Sequence, residues 1–189
     1  MEATALIVTL RMDPDAAARF TALRQRHFPP HRNWLDAHVT LFHALPLAAE
    51  DEVLRDAAER AGATPAFALR VDRLLFLGGG VAYGMTSARA LDLRRALAGR
   101  WDALLSRQDR AWQGRLHVTV QNKVEPAVAR ALQAELERDF APHDVGATGL
   151  QVWRYVGGPW AHVATLPFVA TPSVPSVPSV PSAPATPRG

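Results

Sequence analysis

Two tripeptides carry the chemistry this chain could do: His38-Val39-Thr40 within "DAHVTLFHAL" (36–45) and His117-Val118-Thr119 within "RLHVTVQNKV" (115–124). Residues i and i+2 of a strand leave the same face. Each tripeptide therefore presents an imidazole beside a hydroxyl, while its valine turns to the apolar layer beneath. Two such strands facing one another would gather two imidazoles and two hydroxyls around one small volume. A neutral imidazole can take a proton from an attacking water or hydroxyl, and a protonated one can return a proton to a leaving oxygen. A pKa of about 6.5 lets both forms coexist near neutrality. Threonine hydroxyls can bond the non-bridging oxygens of a phosphodiester, whose charge grows in the transition state. One His-x-Thr is ordinary strand material; two identical copies are the signal.

The same spacing puts Phe42 on the face of His38 and Thr40, and Gln121 on the face of His117 and Thr119. Phe42 is a candidate to stack on a base and Gln121 to line the cleft, with plain packing in the cleft wall an equal alternative. His43 stands five residues after His38, so it falls on the opposite face and reads as structural. His162 lacks the hydroxyl partner, because Ala164 occupies the threonine position. His27 and His31 have His-x3-His spacing, but Pro29 and Pro30 break the helix that would align them on a metal, so no metal site is expected. Arg11, Arg115 and Arg154 are candidate phosphate holders or surface charges. Trp153, Tyr155 and Trp160 read as a base-binding wall or as core at the end of the sheet. Gly78-Gly79-Gly80 lacks the Lys-Ser/Thr of a phosphate loop and reads as a hairpin turn.

The elements that must position these residues follow from the hydrophobic pattern. "TALIVTLRM" (4–12) is a buried strand, and Asp13-Pro14 caps and opens a helix that ends before Pro29. A strand at "HVTLFHAL" and a helix to Gly62 follow. A hairpin turns at the three glycines, and a long helix then carries Leu91, Leu93, Leu97, Trp101, Leu104 and Leu105. The second His-Val-Thr strand precedes a helix opened by Pro126, and strands on either side of Gly157-Gly158-Pro159 close the chain. The order is β-α-β-α-β-β-α-β-α-β-β. Residues 5–87 and 80–169 share a pattern, so the expected fold is α+β, two lobes related by a pseudo-twofold axis within one domain at 1–170. The remainder, 171–189, is a Pro/Ser/Val repeat expected to be a disordered tail.

Composition narrows the function classes. Of 189 residues, none is cysteine, so thiolate chemistry and disulfides are excluded. The formal net charge is +3 and Lys123 is the only lysine. Arginine suits phosphate oxygens, but no basic run of the kind that marks duplex binding is present. The apolar run near the N-terminus is too short for a signal segment or a membrane span, so a cytoplasmic protein without membrane attachment is expected.

"HVTLFHALP" and "HVTVQNKV", with "VWRYVGGPW" near the end, resemble the signature motifs of the 2H phosphoesterase superfamily in its 2′-5′ RNA ligase-like (LigT-like) branch. The resemblance covers residues 4 to about 168. It implies a two-lobed fold with both motifs in a central cleft. It also implies hydrolysis of 2′,3′-cyclic phosphate ends to 2′-phosphates, joining of RNA ends through 2′-5′ linkages in some members, and no need for a metal or ATP. Carried onto this chain, His38 and His117 become the acid/base pair and Thr40 and Thr119 the phosphate-binding hydroxyls. The preferred assignment is His117 as base and His38 as acid. The implied partners are RNA termini or small cyclic nucleotides, taken up by a monomer without a cofactor. The alternative is an RNA- or nucleotide-binding module with little turnover.

Overall fold

A computed structural model describes residues 4–170; the Pro/Ser/Val tail expected at 171–189 lies outside them. The strands are β1 (Ala5–Met12), β2 (Val39–Leu45), β3 (Phe67–Phe76), β4 (Val81–Thr86), β5 (Leu116–Gln121), β6 (His143–Tyr155) and β7 (Trp160–Pro167). The α-helices are α1 (Pro14–His27), α2 (Glu50–Gly62), α3 (Ala88–Arg100), α4 (Arg107–Arg110) and α5 (Pro126–Arg138). Apart from the single turn of α4, this is the order read from the sequence. Every strand pairing within the sheet is antiparallel.

The pairing builds two lobes that share β6. Its first residues, His143 to Ala147, pair with β3, while Ala147 to Tyr155 pair with β1. The strands form one seven-stranded sheet, in which one lobe is the run β2-β1-β6-β7 and the other the run β5-β4-β3-β6. The α2 helix packs against β6 and β7, α5 packs on β3 and β4, and α1 crosses to pack on β5. The lobes are therefore not the consecutive halves 5–87 and 80–169. The β3–β4 hairpin belongs wholly with β5, and the C-terminal strands return to β1. The cause is the length of β6, whose thirteen residues span both lobes.

Local sequence explains the joints. Asp13 caps α1 by accepting from the Ala16 amide at 2.8 Å, and its other oxygen accepts from the Gly146 amide at 2.5 Å. One carboxylate thus starts a helix and fixes it to β6. The Gly78–Gly80 turn closes the β3–β4 hairpin as expected, with Leu77 donating to the Gly80 carbonyl at 2.9 Å. A Cβ on Gly80 would sit 2.0 Å from the Gln121 carbonyl oxygen. Only glycine lets the end of β5 pass this close.

Candidate active site

The two motif strands meet at one rung. Val39 of β2 pairs antiparallel with Val118 of β5, and both valines are fully buried. Carrying that register one residue each way sets His38 against Thr119 and Thr40 against His117. A local twofold axis therefore passes between Val39 and Val118. All four motif residues are half-buried, whereas Val39, Leu41, Leu116, Val118 and Val120 are buried. The alternation predicted from spacing holds across both tripeptides and places the imidazoles and hydroxyls on one shared face.

Alternation fails at the next position in both strands, and in the same way. On β2, Thr40 pairs with Thr9 but Phe42 pairs with Val8, so a bulge absorbs Leu41. On β5, Thr119 pairs with Ala82 but Gln121 pairs with Val81, so a bulge absorbs Val120. An extra residue inverts the facing of the positions after it. The expected cleft positions of Phe42 and Gln121 are therefore corrected. Phe42 is fully buried, packed edge-on to Trp101 at 4.9 Å between ring centroids and under the Arg94 guanidinium. Gln121 is buried on the face of Val118. A further irregularity lies beyond it on β2, since Leu45 pairs with Leu6. Phe42 and Leu45 thus share the core face, and His43 returns to the face of Thr40 rather than turning away.

Each motif histidine is held identically. His38 Nδ1 lies 2.8 Å from the Asp36 carbonyl oxygen, and His117 Nδ1 lies 3.1 Å from that of Arg115. A carbonyl only accepts, so Nδ1 carries the proton in both rings and Nε2 is left for the cleft. His38 also packs on Trp160, with ring centroids 4.5 Å apart. Burial pushes the His38 pKa down to about 4. The charges of Arg24, His117 and His43 act in the same direction, against the bond to the Asp36 carbonyl.

Buried ions absent from the sequence reading hold these strands in place. Arg24 of α1 donates to Asn33 Oδ1 at 2.8 Å, the Leu35 carbonyl at 2.9 Å and the Thr119 carbonyl at 3.0 Å. It joins the segment leading into the first motif to the backbone of the second. Past Val39, β2 makes no further pair with β5, and its edge is satisfied by side chains. Arg94 donates to the Leu41 carbonyl at 3.0 Å. Asp109 accepts from the amides of His43 at 2.8 Å and Ala44 at 3.1 Å, and from Ser106 Oγ at 2.8 Å. Arg24 extends the α1 stripe of Phe20, and Arg94 follows Leu93 in α3. Each sits at a core position in its helix, and that is the only sequence signal either carries.

Beside His38 opens a cavity of about 570 Å³, lined in part by Arg11, Trp34, Gln151, Trp153 and Trp160. Trp34 and Gln151 are additions to the sequence-derived set. Trp34 is 57% exposed. It lies against the β6–β7 turn, where a Cβ on Gly158 would be 2.0 Å from its ring. Trp153 donates to Thr9 Oγ1 at 3.0 Å and meets His162 edge-on. Tyr155 is exposed at the far end of β6. Arg154 forms an ion pair with Glu50. Arg115 is exposed and serves the site through its carbonyl. His27 ends α1 while His31 lies in the short turn Pro30–Arg32. Among the described residues no group of three or more His, Asp or Glu side chains is placed to hold a metal ion.

A family model described as the 2′-5′ RNA ligase superfamily matches residues 12–159. The chain belongs to that superfamily. Solved structures agree in fold. E. coli LigT crystallised with 3′-AMP superposes with a TM-score of 0.61 at 16% identity, covering 88% of this chain and 99% of that one. TT0787 of Thermus thermophilus gives 0.59 at 13% identity, covering 87% and 97%. LigT crystallised with NADP+ gives 0.55 at 18% identity, covering 88% and 99%. No curated protein sequence matches the chain. Membership of this 2H phosphoesterase superfamily places the chain among enzymes that make or break phosphoester bonds. Among the described residues no helix is long and apolar enough to cross a membrane.

Proposed function

We propose that the protein hydrolyses 2′,3′-cyclic phosphates of RNA ends or nucleotides to 2′-phosphates, with His38 and His117 as the acid/base pair. The observation that carries the reading is the crossed pairing at the Val39–Val118 rung. It opposes each imidazole to the other motif's hydroxyl on one face. A phosphorus atom on that local axis has an imidazole Nε2 toward either end and a threonine hydroxyl toward each non-bridging oxygen.

The proton balance runs through this chain's own groups. In the free protein His38 is neutral at pH 7, because its pKa is held at about 4. Its Nε2 takes a proton from the attacking water, whose oxygen bonds to phosphorus. The bond from phosphorus to the ribose 3′-oxygen breaks, and His117 Nε2 delivers a proton to that oxygen. A 2′-monoester with a free 3′-hydroxyl results. This reverses the assignment preferred from sequence, since a group with so low a pKa is almost wholly unprotonated at neutral pH and has no proton to deliver. Thr40 and Thr119 hold the growing charge on the non-bridging oxygens. The cavity at Trp34 and Trp160 offers flat aromatic faces to a nucleoside, with Arg11 at its wall. That LigT was crystallised with 3′-AMP and with NADP+ supports a nucleotide ligand. A nucleoside hydroxyl in place of water gives joining of RNA ends by the same proton transfers.

The test offers purified protein 2′,3′-cyclic nucleotides with EDTA present. Turnover to 2′-phosphates is expected, and His38→Ala and His117→Ala should each lose about 10²- to 10⁴-fold in kcat. Strict metal dependence, or near-full activity in either variant, overturns the mechanism. Tight nucleotide binding with no turnover at any pH favours a binding module instead.

A further inference from the structure

We propose that His43, held by Asp109, is a third imidazole of the cleft and donates from Nε2 to an oxygen of the bound phosphate. The inference rests on the phosphoesterase reading above and adds a substrate contact that the His-Val-Thr motifs do not contain.

The bulge supplies the placement. Phe42 and Leu45 pair with Val8 and Leu6, both fully buried on the core side. His43 is therefore left on the side of Thr40 and Thr9, with its side chain 29% exposed. Asp109 supplies the orientation. Asp109 is 1% exposed, and its Oδ1 lies 3.2 Å from His43 Nδ1 while also accepting the His43 amide. A buried carboxylate on Nδ1 fixes the ring's orientation and leaves Nε2 facing outward, as the orienting acid of a catalytic triad does. Burial alone would raise the Asp109 pKa, but the bonds from His43, Ser106 and Ala44 bring it down to about 2, so the carboxylate stays charged. With Nδ1 engaged, Nε2 is the nitrogen left to meet a ligand. The His43 charge also reaches His38 and contributes to holding its pKa low.

A purely structural histidine needs none of this. Asp109 already satisfies two amides of β2 and the Ser106 hydroxyl, so the strand is pinned without the ring. The imidazole is an added group, oriented from behind and open in front.

The test reads the ring directly. Histidine Cε1–H resonances of the full chain, assigned with His43→Phe, are followed while adenosine 2′-monophosphate is added. The His38, His117 and His43 signals are expected to shift together. His43→Phe, which keeps a ring of similar size, should weaken adenosine 2′-monophosphate about 10- to 100-fold, the worth of one charged hydrogen bond. It should also raise KM for 2′,3′-cyclic AMP. His43→Gln, which restores an N–H donor, should recover part of the loss. Movement of His38 and His117 with His43 still, or unchanged affinity in a folded His43→Phe, overturns this inference alone. If none of the three responds to the nucleotide, the phosphoesterase reading falls with it.

Discussion

His38 draws together most of what matters at the site: it bonds the Asp36 carbonyl, packs on the Trp160 ring, and lies within reach of the charges of Arg24 and His117. Its lowered proton affinity comes first from burial, so removing the cover should raise it. Trp160→Ala is expected to move the His38 pKa from about 4 toward the ordinary value near 6.5. The acid limb of kcat/KM should shift upward with it, and activity at pH 5 should fall more than at pH 8. A pH–rate profile of the two proteins checks this, and an unmoved limb would separate Trp160 from His38. Stability carries the same sign. The unfolded imidazole binds a proton below about 6.5 and the folded one only below about 4. The stabilising contribution is therefore full above 6.5 and is lost as pH falls through 4. His27, also lowered by burial and by Arg26, adds in the same direction. Urea midpoints should drop between pH 7 and pH 4.5, with a shallower drop in His38→Asn.

At the scale of single elements, β2 shows where sequence periodicity stops being informative. Counting by twos placed His38 and Thr40 together, and His117 and Thr119, because nothing interrupts the strand inside either tripeptide. It misplaced Phe42, Gln121 and His43 because a bulge adds a residue without altering composition; Leu41 and Val120 are ordinary strand residues. The anchors were equally silent. Asp109 meets His43 across 66 positions of sequence and Arg24 meets Thr119 across 95, and no local pattern encodes such a partner. The Asp13 cap, the glycine turn and the element order were legible, since each is written within a few neighbouring residues. The corrected placements carry measurable consequences. Phe42→Ala should cost about 3–5 kcal/mol of folding stability, as expected for a large ring lost from the core and not for a cleft wall. Asp109→Ala strips a buried charge from two amides. It should cost a similar amount and speed hydrogen exchange at His43 and Ala44 while leaving α5 protected.

At the scale of the whole molecule, one seven-stranded sheet divides into two lobes that share the long strand β6 and meet again at one rung between β2 and β5. The proposed chemistry centres on that rung, so the architecture and the proposed site share the same approximate symmetry. Paired lobes were legible from the repeated motif. Their strand membership was not, because the chain order of β6 says nothing about how many partners its thirteen residues will find. The axis through Val39 and Val118 has a stereochemical consequence. A rotation axis is not a mirror, so a site built on it is still chiral. Turning the phosphate about the axis exchanges its two non-bridging oxygens, but it exchanges the attacking and leaving oxygens as well. With those two fixed, one non-bridging oxygen meets the threonine on the strand of the base and the other the threonine on the strand of the acid. Replacing either oxygen by sulfur gives two phosphorothioate diastereomers, and the preference measured between them reports which of the two threonines holds more of the growing charge.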